Sequence, residues 1–296
     1  MSLDDGDRPL HRDAGDPVTE SDTALKPHYA RSWAALIGIN DYADQPLKTA
    51  AADAVGMAKM LIERHDFPPG NVFLLISSST PLPPALDAWL AAIRPQLAGG
   101  LDERPTKRAI ERLLFTTLPA RTGADDRVVV YFAGHGAPQL GPDGKLENAR
   151  PYLMPIDARP SQWEELIELD AIERQSPRLP AKHAFYIFDA CCSGLFGHRS
   201  GAPAVPAVYN PELLRHPARH WISAGTSKQY VRDRGHDGHS VFTWHLLQML
   251  QDDKLFAAEG YVGFYRLATE LKDRVPRDRL AEQTPDFGTL EGHDGG

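Results

Sequence analysis

Five short apolar runs, each separated from the next by a longer polar or amphipathic stretch, most constrain what this chain can fold into. They are Trp33–Ile39 (WAALIGI), Val72–Ile76 (VFLLI), Val128–Phe132 (VVVYF), Ala184–Phe188 (AFYIF) and Trp221–Ala224 (WISA). Each is rich in β-branched or aromatic side chains and apolar on both alternating faces, as strands covered on both sides of a mostly parallel sheet must be. Helical stretches fall between them at Ala50–Arg64, Thr106–Thr117, Trp163–Arg174, Ser240–Gln251 and Tyr261–Lys272. In the first, Ala54, Met57, Ala58, Leu61 and Ile62 recur at the three-and-four spacing of one buried helix face. Strand–helix alternation predicts the α/β class, a three-layer α/β/α sandwich around a mostly parallel central sheet. Residues Pro81–Leu97 read as either a further helix or an insertion, and pattern does not place them.

Composition narrows the function classes. At 296 residues, 42% hydrophobic and 24% charged, the chain has the make-up of a globular protein. Its net charge of −8 offers no basic excess for nucleic acid. No apolar run approaches the roughly 18 residues of a membrane span. The segment Met1-Ser-Leu-Asp-Asp-Gly-Asp has neither the basic nor the apolar region of a secretory signal. The two cysteines, Cys191 and Cys192, are adjacent and cannot staple distant loops. The expectation is a reducing cytoplasm, with no nucleic-acid or membrane partner. Residues 1–30 carry seven acids against three bases and few large apolar groups. They read as a flexible acidic leader ahead of a domain at 31–296. Two further stretches, Pro138–Pro151 and Gly197–Pro217, read as long loops, and loops of that length are more often functional than idle.

The chemistry concentrates at two strand ends. Val128–Phe132 runs into Ala133-Gly134-His135-Gly136, and Ala184–Phe188 into Asp189-Ala190-Cys191-Cys192-Ser193-Gly194. Parallel α/β sheets bind ligands at the carboxyl ends of their strands. If these strands are neighbours, an imidazole and a thiol project into one crevice, the minimum pair for nucleophilic catalysis. Each residue also has a plainer reading. His135 can be a satisfied loop histidine, and Cys191 a small buried hydrophobe. Asp189 can hydrogen-bond loop amides, and Asp53 can serve the first turn of its helix by charge–dipole attraction alone. A zinc site from Cys191, Cys192 and His198 is disfavoured, because adjacent cysteines do not easily reach one tetrahedral ion beside that histidine. Neither a dinucleotide fingerprint nor a phosphate loop is present.

An Ala-Cys with a histidine roughly 50 residues upstream is a caspase signature. With LIGIND (Leu36–Asp41), LKTAAADA (Leu47–Ala54), VVVYFAGHG (Val128–Gly136), YLMPID (Tyr152–Asp157), IFDACCSG (Ile187–Gly194), HSVFT (His239–Thr243) and QTPDFGTLEGH (Gln283–His293), the chain resembles the caspase/metacaspase superfamily of cysteine peptidases, and bacterial metacaspase-like members most. The resemblance implies a caspase-like sandwich, Cys191 as nucleophile, His135 as acid–base, and an oxyanion hole from the backbone N–H groups of Gly136 and Cys191. Cys192 stands where metacaspases usually carry His.

In similar metacaspases the positions of Asp53 and Asp189 line the primary specificity pocket. Two carboxylates call for a cation, and Arg fits them better than Lys. Ala50 and Ala133 stand where relatives often have Cys and Ser, and are counted with the pocket. The implied substrate is a polypeptide with Arg or Lys at P1. No cofactor or metal is required; calcium is open as an activator, with Asp125, Asp126, Asp233 and Asp237 as candidate ligands. Arg150, Arg199 and Arg215 lie in or beside the two long loops and are candidate self-processing points. The resemblance also implies a fused or associated sensor domain and a regulated role in bacterial defence or cell death. The competing expectation is a catalytically silent caspase-like scaffold.

Overall fold

The computed structural model describes residues 28–99, 104–145, 149–190, 214–225, 235–256 and 262–296. The chain begins with β1 (Ser32–Ile39), α1 (Ala50–Arg64), β2 (Val72–Ser77) and α2 (Pro84–Ile93). There follow α3 (Lys107–Arg112), α4 (Leu118–Arg121) and β3 (Arg127–Ala133). Next come β4 (Gly136–Gln139), β5 (Arg150–Leu153), β6 (Ile167–Glu168), α5 (Leu169–Gln175), β7 (His183–Asp189) and β8 (Ala218–Ser223). The chain closes with α6 (Val241–Gln251), α7 (Asp253–Phe256), α8 (Phe264–Arg274) and β9 (Asp286–Thr289).

The main sheet has the order β2-β1-β3-β7-β8-β9, parallel except where β9 runs against β8. Side chains alternate between two cores. Trp33, Ile37, Val130, Phe132, Tyr186 and Phe188 face the layer that holds α3, α4 and α5. Leu36, Leu74, Tyr131, Ile187 and Ile222 face α1, α6 and α8. Burial on both faces explains why the strands read as continuous apolar runs. At Gly38 a Cβ would stand 2.4 Å from the Ala50 carbonyl oxygen, so only glycine lets α1 pack this closely on β1.

Several sequence expectations need correction. Trp163–Arg174 is not one helix. A 3-10 turn at Trp163–Glu165 leads into β6, and α5 starts only at Leu169. Buried Leu166 and Ile167 extend so that Leu153 and Tyr152 of β5 gain a partner strand, and tertiary pairing overrides local helix propensity. The stretch Pro138–Pro151 is not wholly loop, because its two ends are the paired strands β4 and β5. Thr106 caps α3, but the helix widens into a π segment at Leu113–Thr117 before α4. Pro119, in the first turn of α4, has no N–H to continue the regular ladder. Pro81–Leu97 supplies α2, with Leu90 buried. Of the thirty residues assigned to a leader, 1–27 lie outside the described residues, while Tyr29 and Ala30 are held to the domain. The Tyr29 hydroxyl meets His183 Nδ1 at 2.6 Å, and the Ala30 N–H donates to the Asp125 carbonyl at 2.9 Å. Most of Gly197–Pro217 also lies outside the described residues.

His183, half-buried, and His220, buried, lie near the amino-terminal end of the sheet. His183 Nε2 lies 3.1 Å from the His216 carbonyl, which can only accept, so Nε2 carries the proton and Nδ1 accepts from Tyr29. His220 stacks on Phe264 at 4.0 Å. Burial pushes His183 down to about 4 and His220 down to about 3. Both are neutral in the folded and unfolded states above the ordinary value near 6.5. Below it the unfolded chain takes up protons first, so their contribution to stability is lost as pH falls toward the folded values. The cost is about 2 kcal/mol for each at pH 5. Thermal unfolding followed from pH 7 to pH 5 is therefore expected to show a falling midpoint, and His220→Phe, which keeps the stacking, to flatten that slope.

Candidate active site

Seven consecutive pairs align β3 with β7, ending with Ala133 beside Asp189. The Gly134 N–H then donates to the Asp189 carbonyl at 3.2 Å, which keeps the two chains together one residue past the sheet. The strands that lead to His135 and toward Cys191 are thus neighbours at matched height. Ala190 is the last described residue of that run; Cys191 and Cys192 lie outside the described residues.

His135 Nε2 lies 2.7 Å from the Gln45 carbonyl oxygen. A carbonyl has lone pairs and no proton, so Nε2–H donates, and in the neutral ring Nδ1 is the free base. Gln45 presents that carbonyl from a left-handed backbone, φ 56°. The imidazole packs on the Tyr42 ring at 4.5 Å between centroids.

Gly136 opens β4 opposite Leu153. One step earlier, the Met154 N–H donates to the His135 carbonyl at 3.0 Å. Antiparallel ladders alternate hydrogen-bonded and non-hydrogen-bonded pairs, so the Gly136 N–H turns away from β5.

Asp53 and Asp189 converge on one residue, Ser240, which caps α6. The Ser240 N–H donates to Asp53 Oδ1 at 3.1 Å, and the Ser240 hydroxyl donates to Asp189 Oδ2 at 2.5 Å. Asp53 also accepts from His239 Nδ1 at 2.8 Å, and Asp189 from the Thr243 hydroxyl at 2.7 Å. Thr243 in turn meets the Tyr131 hydroxyl at 2.6 Å. Both carboxylates are buried, Asp53 at 1% exposure and Asp189 at 4%. Burial raises the Asp53 carboxyl above the ordinary carboxylate value, against the pull of His239 and the Ser240 N–H. Burial and the two nearby carboxylates raise the Tyr131 phenol. Ala133 and Ala50 are buried beside this cluster, Ala133 in register between Gly38 and Asp189, and Ala50 as the first residue of α1.

The candidate calcium ligands are engaged elsewhere where they are described. Buried Asp126 accepts from Arg31, the Trp33 indole and the Gly123 N–H. Asp125 pairs with Lys182, and Asp237 accepts from the Trp244 indole. Asp233 lies outside the described residues. Among the described residues no group of three or more His, Cys, Asp or Glu side chains could hold a metal ion, and no helix is long and apolar enough to cross a membrane. Of the self-processing candidates, Arg150 is paired within β5, Arg215 is exposed, and Arg199 lies outside the described residues.

The caspase domain profile, peptidase family C14, matches residues 31–289. The chain belongs to the caspase domain family. Its fold is similar to that of the Drosophila initiator caspase Dronc, with a TM-score of 0.52 and 14% identity over 99% of this chain and 94% of that one. It is also similar to a Geobacter sulfurreducens protein of known crystal structure, with a TM-score of 0.54 and 16% identity over 89% and 95%. A search among curated proteins finds no match. The caspase domain is a cysteine-peptidase type of domain, and its substrates are polypeptides.

Sequence reading of this caspase domain missed Tyr42, Gln45, His239, Ser240 and Thr243 as contacts of the candidate residues His135, Asp53 and Asp189. Ser240 and Thr243 sit in the HSVFT segment and could have been sought there, since Ser before an apolar run is a helix-cap signal. Gln45 acts through a backbone carbonyl, which leaves no mark on residue type.

Gly56, inside α1, leaves room for His239. A Cβ there would stand 2.7 Å from His239 Cε1. Gly→Ala in a helix ordinarily gains up to about 1 kcal/mol. Here the clash and the strained bond to buried Asp53 cost about 2–4 kcal/mol and win. Gly56→Ala is expected to lower the unfolding midpoint in thermal denaturation; an unchanged or raised midpoint would show that His239 yields freely.

Proposed function

We propose that this caspase-family domain is a cysteine endopeptidase that cleaves after basic residues, Arg before Lys, through a His135–Cys191 dyad. The observation that carries the reading is the β3–β7 register together with His135 held through Nε2, which leaves Nδ1 as the base. The Cys191 thiol proton passes to His135 Nδ1, and the sulfur attacks the scissile carbonyl. The oxyanion is met by the N–H groups of Gly136 and Cys191. The imidazolium then protonates the leaving amine, leaving a thioester that water hydrolyses with His135 again as base.

The basic preference is supported by two carboxylates gathered around Ser240. A P1 guanidinium would compete with the Ser240 and Thr243 hydroxyls for Asp189, which favours the bidentate geometry of Arg. A cytoplasmic setting is supported by the cysteine usage. Calcium activation, a fused or associated sensor domain and a bacterial defence role rest on the resemblance alone.

Hydrolysis of Arg-ending and Lys-ending fluorogenic peptides, with and without calcium, tests the reading. Wild type is expected to cleave the Arg peptide faster. Cys191→Ala is expected to abolish turnover, His135→Ala to lower it by roughly 10²- to 10⁴-fold, and Cys192→Ala to retain it. Asp189→Asn should erase the basic preference. A wild-type protein inert under every condition would favour the silent scaffold, and equal loss in both cysteine variants would unseat Cys191.

A further inference from the structure

The first rung between β4 and β5 is only half made of backbone. A hydrogen-bonded antiparallel pair normally exchanges two N–H···O bonds. His135 and Met154 make one of them, Met154 N–H to the His135 carbonyl at 3.0 Å. In place of the other stands a side chain. The His135 N–H donates to the Tyr42 hydroxyl at 3.0 Å, and that hydroxyl donates to the Met154 carbonyl at 2.8 Å. The phenol thus bridges the donor and acceptor of the missing bond.

The surroundings fit this placement. Tyr42 is 5% exposed, and burial raises its phenol far above the ordinary value, so the proton it donates is retained throughout the working pH range. At Gly134 a Cβ would stand 2.5 Å from the hydroxyl, so glycine admits it. The turn that carries Tyr42 is closed by two bonds to the Asn40 carbonyl, from Tyr42 N–H and Leu47 N–H, each 2.9 Å. The same turn offers the Gln45 carbonyl to His135 Nε2. One short segment therefore holds His135 by its backbone N–H, by its ring face and by its ring nitrogen.

We propose that Tyr42 is a positioning residue for the dyad: its hydroxyl replaces a backbone rung and thereby fixes the aim of the His135 imidazole and of the adjoining Gly136 N–H. The proposal rests on the reading of His135 as the base for Cys191, and the two can fail separately.

The test is the pH dependence of iodoacetamide alkylation at Cys191, measured on the full chain in a Cys192→Ala background, which needs no peptide substrate. If His135→Ala leaves that profile unchanged, the dyad reading fails and the positioning role falls with it. If His135→Ala shifts the profile, Tyr42→Phe, which keeps the ring, is expected to shift it in the same direction. On the Arg peptide it should lower kcat by roughly 10- to 100-fold with KM within about twofold. A wild-type profile and kcat in folded Tyr42→Phe would overturn the proposal while leaving the dyad intact. Should Tyr42→Phe not fold, Gly134→Ala decides: its methyl displaces the hydroxyl and leaves the phenol ring in the core. The same shift supports the proposal, and a wild-type profile overturns it.

Discussion

The lateral pairing of β3 with β7 is the constraint on which the rest of this domain depends. Parallel strands joined by a crossover can be aligned in many ways until burial on both faces selects one, because a one-residue slip would turn every side chain to the wrong core. Here the alternation of Val128, Val130 and Phe132 with Tyr131 and Ala133 matches that of Ala184, Tyr186 and Phe188 with Ile187. Hydrophobic packing thereby sets the height at which the two chains leave the sheet. Chemistry at their ends inherits a geometry determined by apolar residues several ångströms below it.

A second fixture lies across the sheet from the small β4–β5–β6 layer. Ser240 caps α6 and receives two acidic side chains, one from the first helix and one from the end of β7. Burying two carboxylates is costly unless donors surround them. His239, Ser240 and Thr243 provide those donors from one segment. The arrangement therefore does double service in packing: it brings donors to both acids, and it ties α1, α6 and β7 into one unit. In the proposed enzyme, the same acids face the choice between their internal donors and an incoming guanidinium.

The turn at 40–47 shows a different economy. It belongs to the β1–α1 connection, yet it carries both contacts that orient His135, one through a phenol and one through a peptide carbonyl. Asn40, whose carbonyl closes the turn, also accepts from the Ala51 N–H with its side chain, so the start of α1 and the support of His135 share an anchor. A disturbance there reaches the helix start and the imidazole together.

Local pattern was enough to locate the five parallel strands and α1, whose observed limits at Ala50 and Arg64 coincide with the periodic stretch. It also marked His135 and Asp189 by their position after strands. Apolar periodicity is a property of neighbouring residues, so a linear reading can find it. The short strands β4, β5 and β6 and the edge strand β9 could not be found that way. They span two to four residues and are strands only because a partner supplies their hydrogen bonds. The same holds for the supports of the site. That His135 would rest on Gln45, that Tyr42 would complete a rung, and that Asp53 and Asp189 would meet at Ser240 depends on contacts between residues far apart in the chain. Residue type and spacing determined the layers and nominated the chemistry; only the packed sheet decided which distant donors and acceptors came within reach of one another.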